Sequence, residues 1–334
     1  MSTVPSTAGA QGPVARFRRI AATVLAALVL TAAAACSTTS DGDSTAGGAS
    51  SGAATRVVNT PTGDVTIPAA PKRIIGLSYA AMWLLDAEIP VVGMTSVDEA
   101  ALSSAQKEKV KSIPVVGEGN ELNFEKIQSL NPDLIIISAP KRVEFRIDKL
   151  QPIAPVVSFG IGDPAELLPT SVKITEVAGQ KERGEKVKKE YEEKAARIRT
   201  AYADKLAKTT WAIANSGEAG KFSVYDGASW LGLVVKDMGG RFAELPGVKF
   251  EDAWFDLSFE EIGKLEPADV VLVDGTGEGG KPSAETADLL AQTNWKALKA
   301  AKNNQVHPVP DFFTSRYPEA SKILDQLEQV LKSL

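Results

Sequence analysis

The sequence predicts an α/β fold: two similarly built lobes with mostly parallel sheets, joined by one long rigid α-helix. Three observations predict it. Continuous β-branched runs alternate with helical patterns from Arg56 onward, which implies right-handed crossovers and a mostly parallel sheet. One stretch recurs at an offset of 135 residues, from Asn123 to Ser258. Between the two copies, Glu182 to Ala207 reads as a single amphipathic helix, with Val187, Tyr191, Ala195, Ile198 and Tyr202 at helical spacing.

In the first half, Arg73–Leu77 reads as a strand, residues 80–87 as an apolar helix, and Val91–Met94 as the next strand. Leu134–Ser138 and Val156–Phe159 are buried strands. In the second half, Trp211–Asn215 is a strand and Ala228–Met238 a helix stopped by Gly239 and Gly240. Val270–Val273 is a buried strand, Val306–Val309 a short late one, and Glu319–Leu334 a closing helix. The recurring stretch is Asn123-Phe-Glu-Lys-Ile to Pro132-Asp133 in one half and Ser258-Phe-Glu-Glu-Ile to Pro267-Ala-Asp269 in the other. Asn123 and Ser258 suit helix N-caps, and Pro132 and Pro267 end each short helix. The helix between the copies has no Pro, and its internal Gly is Gly184. At 1.5 Å per residue it would run about 39 Å and restrict the motion of the lobes.

The N-terminus reads as an address. Residues 1–35 carry Arg16, Arg18 and Arg19 and no acid, followed by an apolar run and four alanines ending at Ala35. This is a secretory signal pattern, too short for a comfortable membrane span. Its removal leaves 34 bases against 42 acids, a net of −8. Cys36, the sole Cys, follows at once. Residues 36–55 are almost entirely small and polar, a flexible tether of about 25 Å. The domain division is therefore 1–35 signal, 36–55 tether, 56–181 first lobe, 182–207 helix and 208–334 second lobe.

One Cys and one His exclude an intramolecular disulfide, Cys-rich zinc and His-rich transition-metal sites. The absence of a basic block beyond the N-terminus argues against nucleic acid. A Ser-His-Asp triad would need His307, which lies inside a short buried strand, so a structural role is expected. Gly275–Pro282 has the Gly-x4-Gly-Lys spacing of a phosphate loop. Pro282, however, stands where a magnesium-binding hydroxyl is required. A glycine loop at a strand end is the simpler reading, and no catalytic residue or resident cofactor is assigned.

Aromatic residues are scarce, at 6%, so their placement is informative. Tyr79, Trp83, Phe222, Tyr225, Trp230, Trp254, Phe312 and Phe313 all fall near expected strand ends, where a cleft between lobes would lie. Lys141, Arg142, Arg146 and Arg316 occupy comparable positions. All except Phe313 are assigned as cleft residues; core packing is the competing role for each aromatic. Glu125 and Glu260 are equivalent in the two repeats. They either complement a helix dipole or dock a basic partner.

Together these segments resemble the substrate-binding lipoproteins of ABC importers for ferric siderophores, haem and cobalamin (class III periplasmic binding proteins). The resemblance runs from about Pro71 to the C-terminus. It rests on Pro71-Lys-Arg-Ile-Ile75, the block from Asn123 to Ile137, Leu150–Val156, Trp295-Lys-Ala-Leu298 and Asn303–Val309. It implies two Rossmann-like lobes joined by a rigid helix, a ligand in the shallow cleft between them, and no chemistry on that ligand. It implies that Glu125 and Glu260 meet permease arginines. It also implies that Cys36 is lipidated, which would anchor a monomeric protein on the outer face of a bacterial cell membrane; Ala33 stands where Leu is usual.

Similar catecholate binders carry two arginines, of which Arg142 matches the first. Ser229-Trp230-Leu231 places Trp where the second would be. An aromatic cleft with few cations suits a less charged ferric hydroxamate or mixed siderophore. A cobalamin or haem receptor is the alternative within the class, an exported hydrolase the alternative outside it. Bare-metal binding lacks His, Cys or clustered carboxylates.

Overall fold

The computed structural model describes residues 54–97, 102, 104–276 and 280–334. The expected signal segment, Cys36 and nearly all of the tether lie outside the described residues. The first strands, β1 (Thr55–Thr60) and β2 (Gly63–Pro68), form an antiparallel hairpin. Thr55, the last residue assigned to the tether, is thus already paired. Arg56 fixes the hairpin to the first lobe by donating to the carbonyls of Glu176 and Val177 at 2.8 and 2.6 Å.

The first lobe contains β3 (Ile74–Ser78), α1 (Tyr79–Asp86), β4 (Gly93–Thr95), α2 (Ser104–Lys111), β5 (Val115–Glu118), β6 (Glu121–Leu122), α3 (Phe124–Ser129), β7 (Leu134–Pro140), α4 (Ile147–Leu150), β8 (Val156–Ile161) and α5 (Leu167–Val177). Its sheet has the order β6-β5-β4-β3-β7-β8, parallel except at β6. Next come α6 (Lys181–Ala201) and α7 (Ala203–Lys208). The second lobe contains β9 (Thr210–Glu218), β10 (Lys221–Tyr225), α8 (Trp230–Asp237), β11 (Arg241–Phe242), β12 (Trp254–Ser258), a 3-10 segment (Phe259–Leu265), β13 (Val270–Asp274), α9 (Ala284–Ala291), α10 (Thr293–Lys296), α11 (Lys299–Lys302), β14 (Val306–Val309) and α12 (Tyr317–Ser333). Its sheet runs β12-β10-β9-β13-β14, with β11 also on β9. Here β10 pairs antiparallel with both β9 and β12, so this sheet is more mixed than the sequence predicts.

The recurring motif does the same job twice. Asp133 accepts from the backbone N–H of Lys72 and Arg73 at 2.7 and 2.9 Å, and its own N–H donates to the Arg73 carbonyl. Asp269 accepts from the N–H and hydroxyl of Thr210 at 2.8 and 2.9 Å, and its own N–H donates to the Thr210 carbonyl. Each Asp pins the start of its lobe's first parallel strand beside the buried strand that follows it. At the motif's start, Asn123 accepts from the Lys126 N–H at 2.9 Å, and Glu261 accepts from the Ser258 N–H at 3.1 Å.

The joining helix is shorter than expected. It ends at Ala201, giving about 32 Å rather than 39 Å. Tyr202 leaves helical geometry at φ −118° and packs on the second-lobe core, with its hydroxyl 3.4 Å from Glu328. That inward turn is why one helix becomes two. Helix α6 lies close to α5 at Gly184: a Cβ there would sit 2.0 Å from Thr175 Oγ1. Its other end buries Tyr191, Ala195 and Ile198 in the second-lobe core. Lys194 and Arg197 tie it to α12 through Asp325 at 2.7 Å and Glu328 at 2.8 Å.

The lobes also meet through a buried joint. The Arg316 guanidinium, just before α12, donates to Glu319 at 2.7 Å and lies 3.4 Å from Asp86 at the end of α1. Trp83 on α1 donates from its indole N–H to the Ser315 carbonyl at 2.8 Å. Asp86 Oδ1 also accepts from Gln106 at 3.2 Å, while Oδ2 is buried with no hydrogen-bond partner among the described residues. Burial pushes the Asp86 carboxyl up to about 6, against the opposing pull of Arg316.

Two predictions follow from these contacts. Asp133→Ala strips acceptors from two backbone N–H groups and should cost about 1–3 kcal/mol in urea unfolding; an unchanged midpoint and slope would deny the clamp a role. Asp86 binds its proton more readily folded than unfolded. Its contribution is therefore favourable at low pH and lost as pH rises from about 4 to about 6. From pH 7 to pH 5 this site should add about 1–1.5 kcal/mol. Asp86→Asn should remove that increment, and a variant that keeps the full wild-type slope would place the response elsewhere.

Candidate functional site

The wall facing the first lobe from the second is built by β10, β12, the start of α8 and the loop after β14. In the β10–β12 register Tyr225 stands opposite Trp254 and Ser223 opposite Asp256. Residues two apart on a strand share a face, so all four lie on one side of the sheet. Ser229 caps α8 by accepting from the Gly232 N–H at 3.2 Å, which fixes Trp230 at the first helical position. Trp230 lies 6.3 Å from Trp254 at a 32° tilt and 5.2 Å from Phe313 at 88°. Tyr225 and Phe312 support these rings from beneath, 5.4 Å apart edge to face. Trp254 and Phe313 remain 42% and 51% exposed. Trp230 is partly buried and packs on the cores of both lobes, which locates this wall at the lobe boundary.

The first lobe offers Tyr79 and Arg142. Tyr79 opens α1 at the end of β3, stacked on Trp83 at 5.6 Å and 21°. It follows Ser78, whose φ of 56° is sterically unfavourable for a residue with a Cβ. The Ser78 N–H is held by Thr95 Oγ1 at 2.9 Å. Burial pushes the Tyr79 hydroxyl up, and nearby Arg142 opposes it. Arg142 is exposed and has no ion pair among the described residues, unlike the other expected cleft cations. Lys141 lies 3.7 Å from Glu166, and Arg146 grips Asp148 at 2.8 and 2.9 Å.

Several expected cleft residues belong elsewhere. Phe222 is 2% exposed, inside the core on the opposite face of β10 from Tyr225. Trp83 and Phe312 are buried, and so is Tyr225, whose hydroxyl donates to Asn215 at 2.8 Å. Arg316 is 4% exposed and spent on the joint between the lobes. The aromatics of β10 and β12 lie within strands, not after them, because the sequence pattern did not disclose these two strands. Asp256 was missed for the same reason. Its signal was the alternation Trp254-Phe255-Asp256, with Trp and Asp outward.

Glu125 and Glu260 are both exposed and form no ion pair among the described residues. The Glu260 carboxyl is held low by its own backbone N–H and by Ser258. His307 is half-buried in β14, 2.9 Å from Gln305 Oε1, and burial lowers its affinity for a proton. The glycine loop closes through Thr276 and Lys281, the Thr276 N–H donating to the Lys281 carbonyl at 2.6 Å. Among the described residues no group of His, Cys, Asp and Glu is arranged to hold a metal, and no helix is long and apolar enough to cross a membrane. A groove of about 590 Å³ beside α6 carries none of the aromatic wall. Its Asp237 carboxylate is already taken by Tyr191 at 2.8 Å.

Known proteins share this architecture. The chain is 29% identical over 287 residues to the iron(3+)-hydroxamate-binding protein YxeB of Bacillus subtilis, covering 83% of this chain and 85% of that one. It is 24% identical over 289 residues to the Fe(3+)-citrate-binding protein YfmC of the same organism, covering 84% and 86%. The crystal structure of the siderophore periplasmic binding protein from the fuscachelin gene cluster of Thermobifida fusca superposes with a TM-score of 0.70. That comparison has 32% identity and covers 79% of this chain and 98% of that one. These relatives are binding proteins, not enzymes. A family model described as periplasmic binding protein matches residues 75–311, and the chain belongs to that family.

Proposed function

We propose that this protein is an extracytoplasmic receptor that binds a ferric siderophore between its lobes and delivers it to an ABC permease for iron uptake. The carrying observation is the aromatic wall of Trp230 and the exposed Trp254 and Phe313, together with the first lobe's Arg142, which lies near Tyr79 and is unpaired among the described residues. Aromatic faces bury the organic shell of a metal chelate, and one free guanidinium meets limited negative charge. A tris-catecholate of high charge would call for more free cations than this wall and its partner supply. A ferric hydroxamate or mixed siderophore fits better. The nature of the relatives supports this reading, and His307, engaged with Gln305 in a strand, offers little to a haem iron.

Delivery rests on Glu125 and Glu260. Each stands exposed in the first turn after an equivalent cap, one per lobe, and each suits an arginine of a membrane partner. Cys36, with the basic and apolar segment before it, suits a lipid anchor that keeps the receptor at the membrane.

Tryptophan-fluorescence titration of the protein lacking residues 1–53 tests the ligand. A panel of ferric hydroxamates, ferric catecholates, ferric citrate, haem and cobalamin should give saturable quenching with the hydroxamates at submicromolar concentration. Saturation by haem or cobalamin alone would overturn the reading. Trp230→Ala should weaken the response at least about tenfold. In cells dependent on this receptor, Glu125→Ala with Glu260→Ala should abolish ferric-siderophore uptake while the purified variant keeps its affinity. A parallel loss of affinity would move both acids out of the docking role.

A further inference from the structure

The second-lobe wall carries a carboxylate that ligand burial alone does not require. Asp256 is exposed and lies two residues beyond Trp254 on the same face of β12, about 7 Å along the strand. Its Oδ1 accepts from Ser223 Oγ at 2.6 Å, which orients the group from the neighbouring strand. Among the described residues Oδ2 makes no hydrogen bond and no cation pairs with it. The one lysine of β10, Lys221, is engaged by Glu218 at 3.2 Å.

Trp254, two residues from this carboxylate on the same face, belongs to a cluster of three aromatic rings in differing orientations. Trp230 and Phe313 meet at 88°, and Trp254 is tilted 32° from Trp230. Ring faces attract cations, and Trp does so most strongly. An oriented free carboxylate at the edge of such rings recognises an alkylammonium group: the rings take its methylene and N–H surface, and the carboxylate takes its charge. The first lobe offers the reverse charge, since its Arg142 guanidinium, near Tyr79, has no ion pair among the described residues.

We infer that Trp230, Trp254, Phe313 and Asp256 form a subsite for a protonated amine, so that the protein selects ferric chelates bearing a pendant alkylammonium. This rests on the siderophore reading of the cleft and adds to it the charge and orientation of the ligand. The amine-bearing end lies against the second lobe and the electron-rich chelate edge toward Arg142. Uncharged chelates of the same core bind more weakly.

The test compares ferric desferrioxamine B, a trihydroxamate with a pendant primary amine, with its N-acetyl derivative, which has the same chelating core and no amine charge. Titrated into wild-type protein, the free amine should bind about tenfold tighter than the acetylated compound. Asp256→Asn should abolish that preference by weakening the amine alone, leaving the acetylated compound within twofold of wild type. Raising the salt concentration should shrink the wild-type preference and not that of the variant. Equal wild-type affinities, or a preference that survives in Asp256→Asn, would overturn the subsite. If neither chelate binds, the hydroxamate reading fails, and pentylammonium then decides the subsite independently. A saturable tryptophan response in wild-type protein that is lost in Asp256→Asn supports it, and no response, or one unchanged in the variant, overturns it.

Discussion

A single buried guanidinium governs how the two halves of this protein meet. Arg316 contributes the positive charge, Asp86 of the first lobe and Glu319 of the second the negative ones. A charge removed from water must be paired, and removing one partner leaves the other stranded at a cost of several kcal/mol. The loop after β14 therefore has little freedom. Ser315 is held from one side by the Trp83 indole and from the other by the Glu319 carboxylate, which accepts its N–H at 3.1 Å. Anchoring that loop decides the fate of two consecutive phenylalanines: Phe312 goes into the core and Phe313 to the surface of the wall. Helix α6 reinforces the same joint from behind, through its close approach at Gly184 and its ion pairs to α12.

The two lobes share a plan and differ most, near the site, in how the chain leaves the first parallel strand. In both, an Asp following a short capped helix pins the first parallel strand. In both, a serine precedes the helix that faces the other lobe, Ser78 before Tyr79 and Ser229 before Trp230, but only Ser229 caps its helix with its side chain. The first lobe passes directly from β3 into α1. The second inserts β10 between β9 and α8 and later pairs it with β12. Together β10 and β12 supply the buried Tyr225 and the exposed Trp254 and Asp256, and they make the second sheet partly antiparallel. The two lobes therefore offer unlike groups: Tyr79 and the exposed Arg142 from the first, the exposed aromatics and Asp256 from the second.

Much of this was legible in the residues. Leu134–Ile137 and Val270–Val273 declare themselves as buried strands because a parallel strand covered on both faces is apolar throughout. The capped repeat marked Asp133 and Asp269 and paired Glu125 with Glu260, while the clamping role of each Asp appears only in the folded chain. By contrast, β10 and β12 are short, carry polar residues on one face, and depend on pairing across a long sequence separation, Tyr225 opposite Trp254 among others. Phe222 and Tyr225 look alike in sequence, three residues apart, yet strand alternation sends them to opposite faces. Arg316 looks like a surface cation until Asp86 arrives from the other lobe.

The sequence by itself determined the alternation of strands and helices, the duplication, the long helix between the copies and the scarcity of metal-binding side chains. Each of these follows from local periodicity and composition, which the chain carries without reference to its partners. Only the tertiary structure decided which aromatics are wall and which are core, which cation remains free, and which carboxylate stands beside the exposed rings. Those outcomes depend on contacts between residues far apart in the chain. Burial, pairing and exposure are properties of the assembled surroundings rather than of the residue.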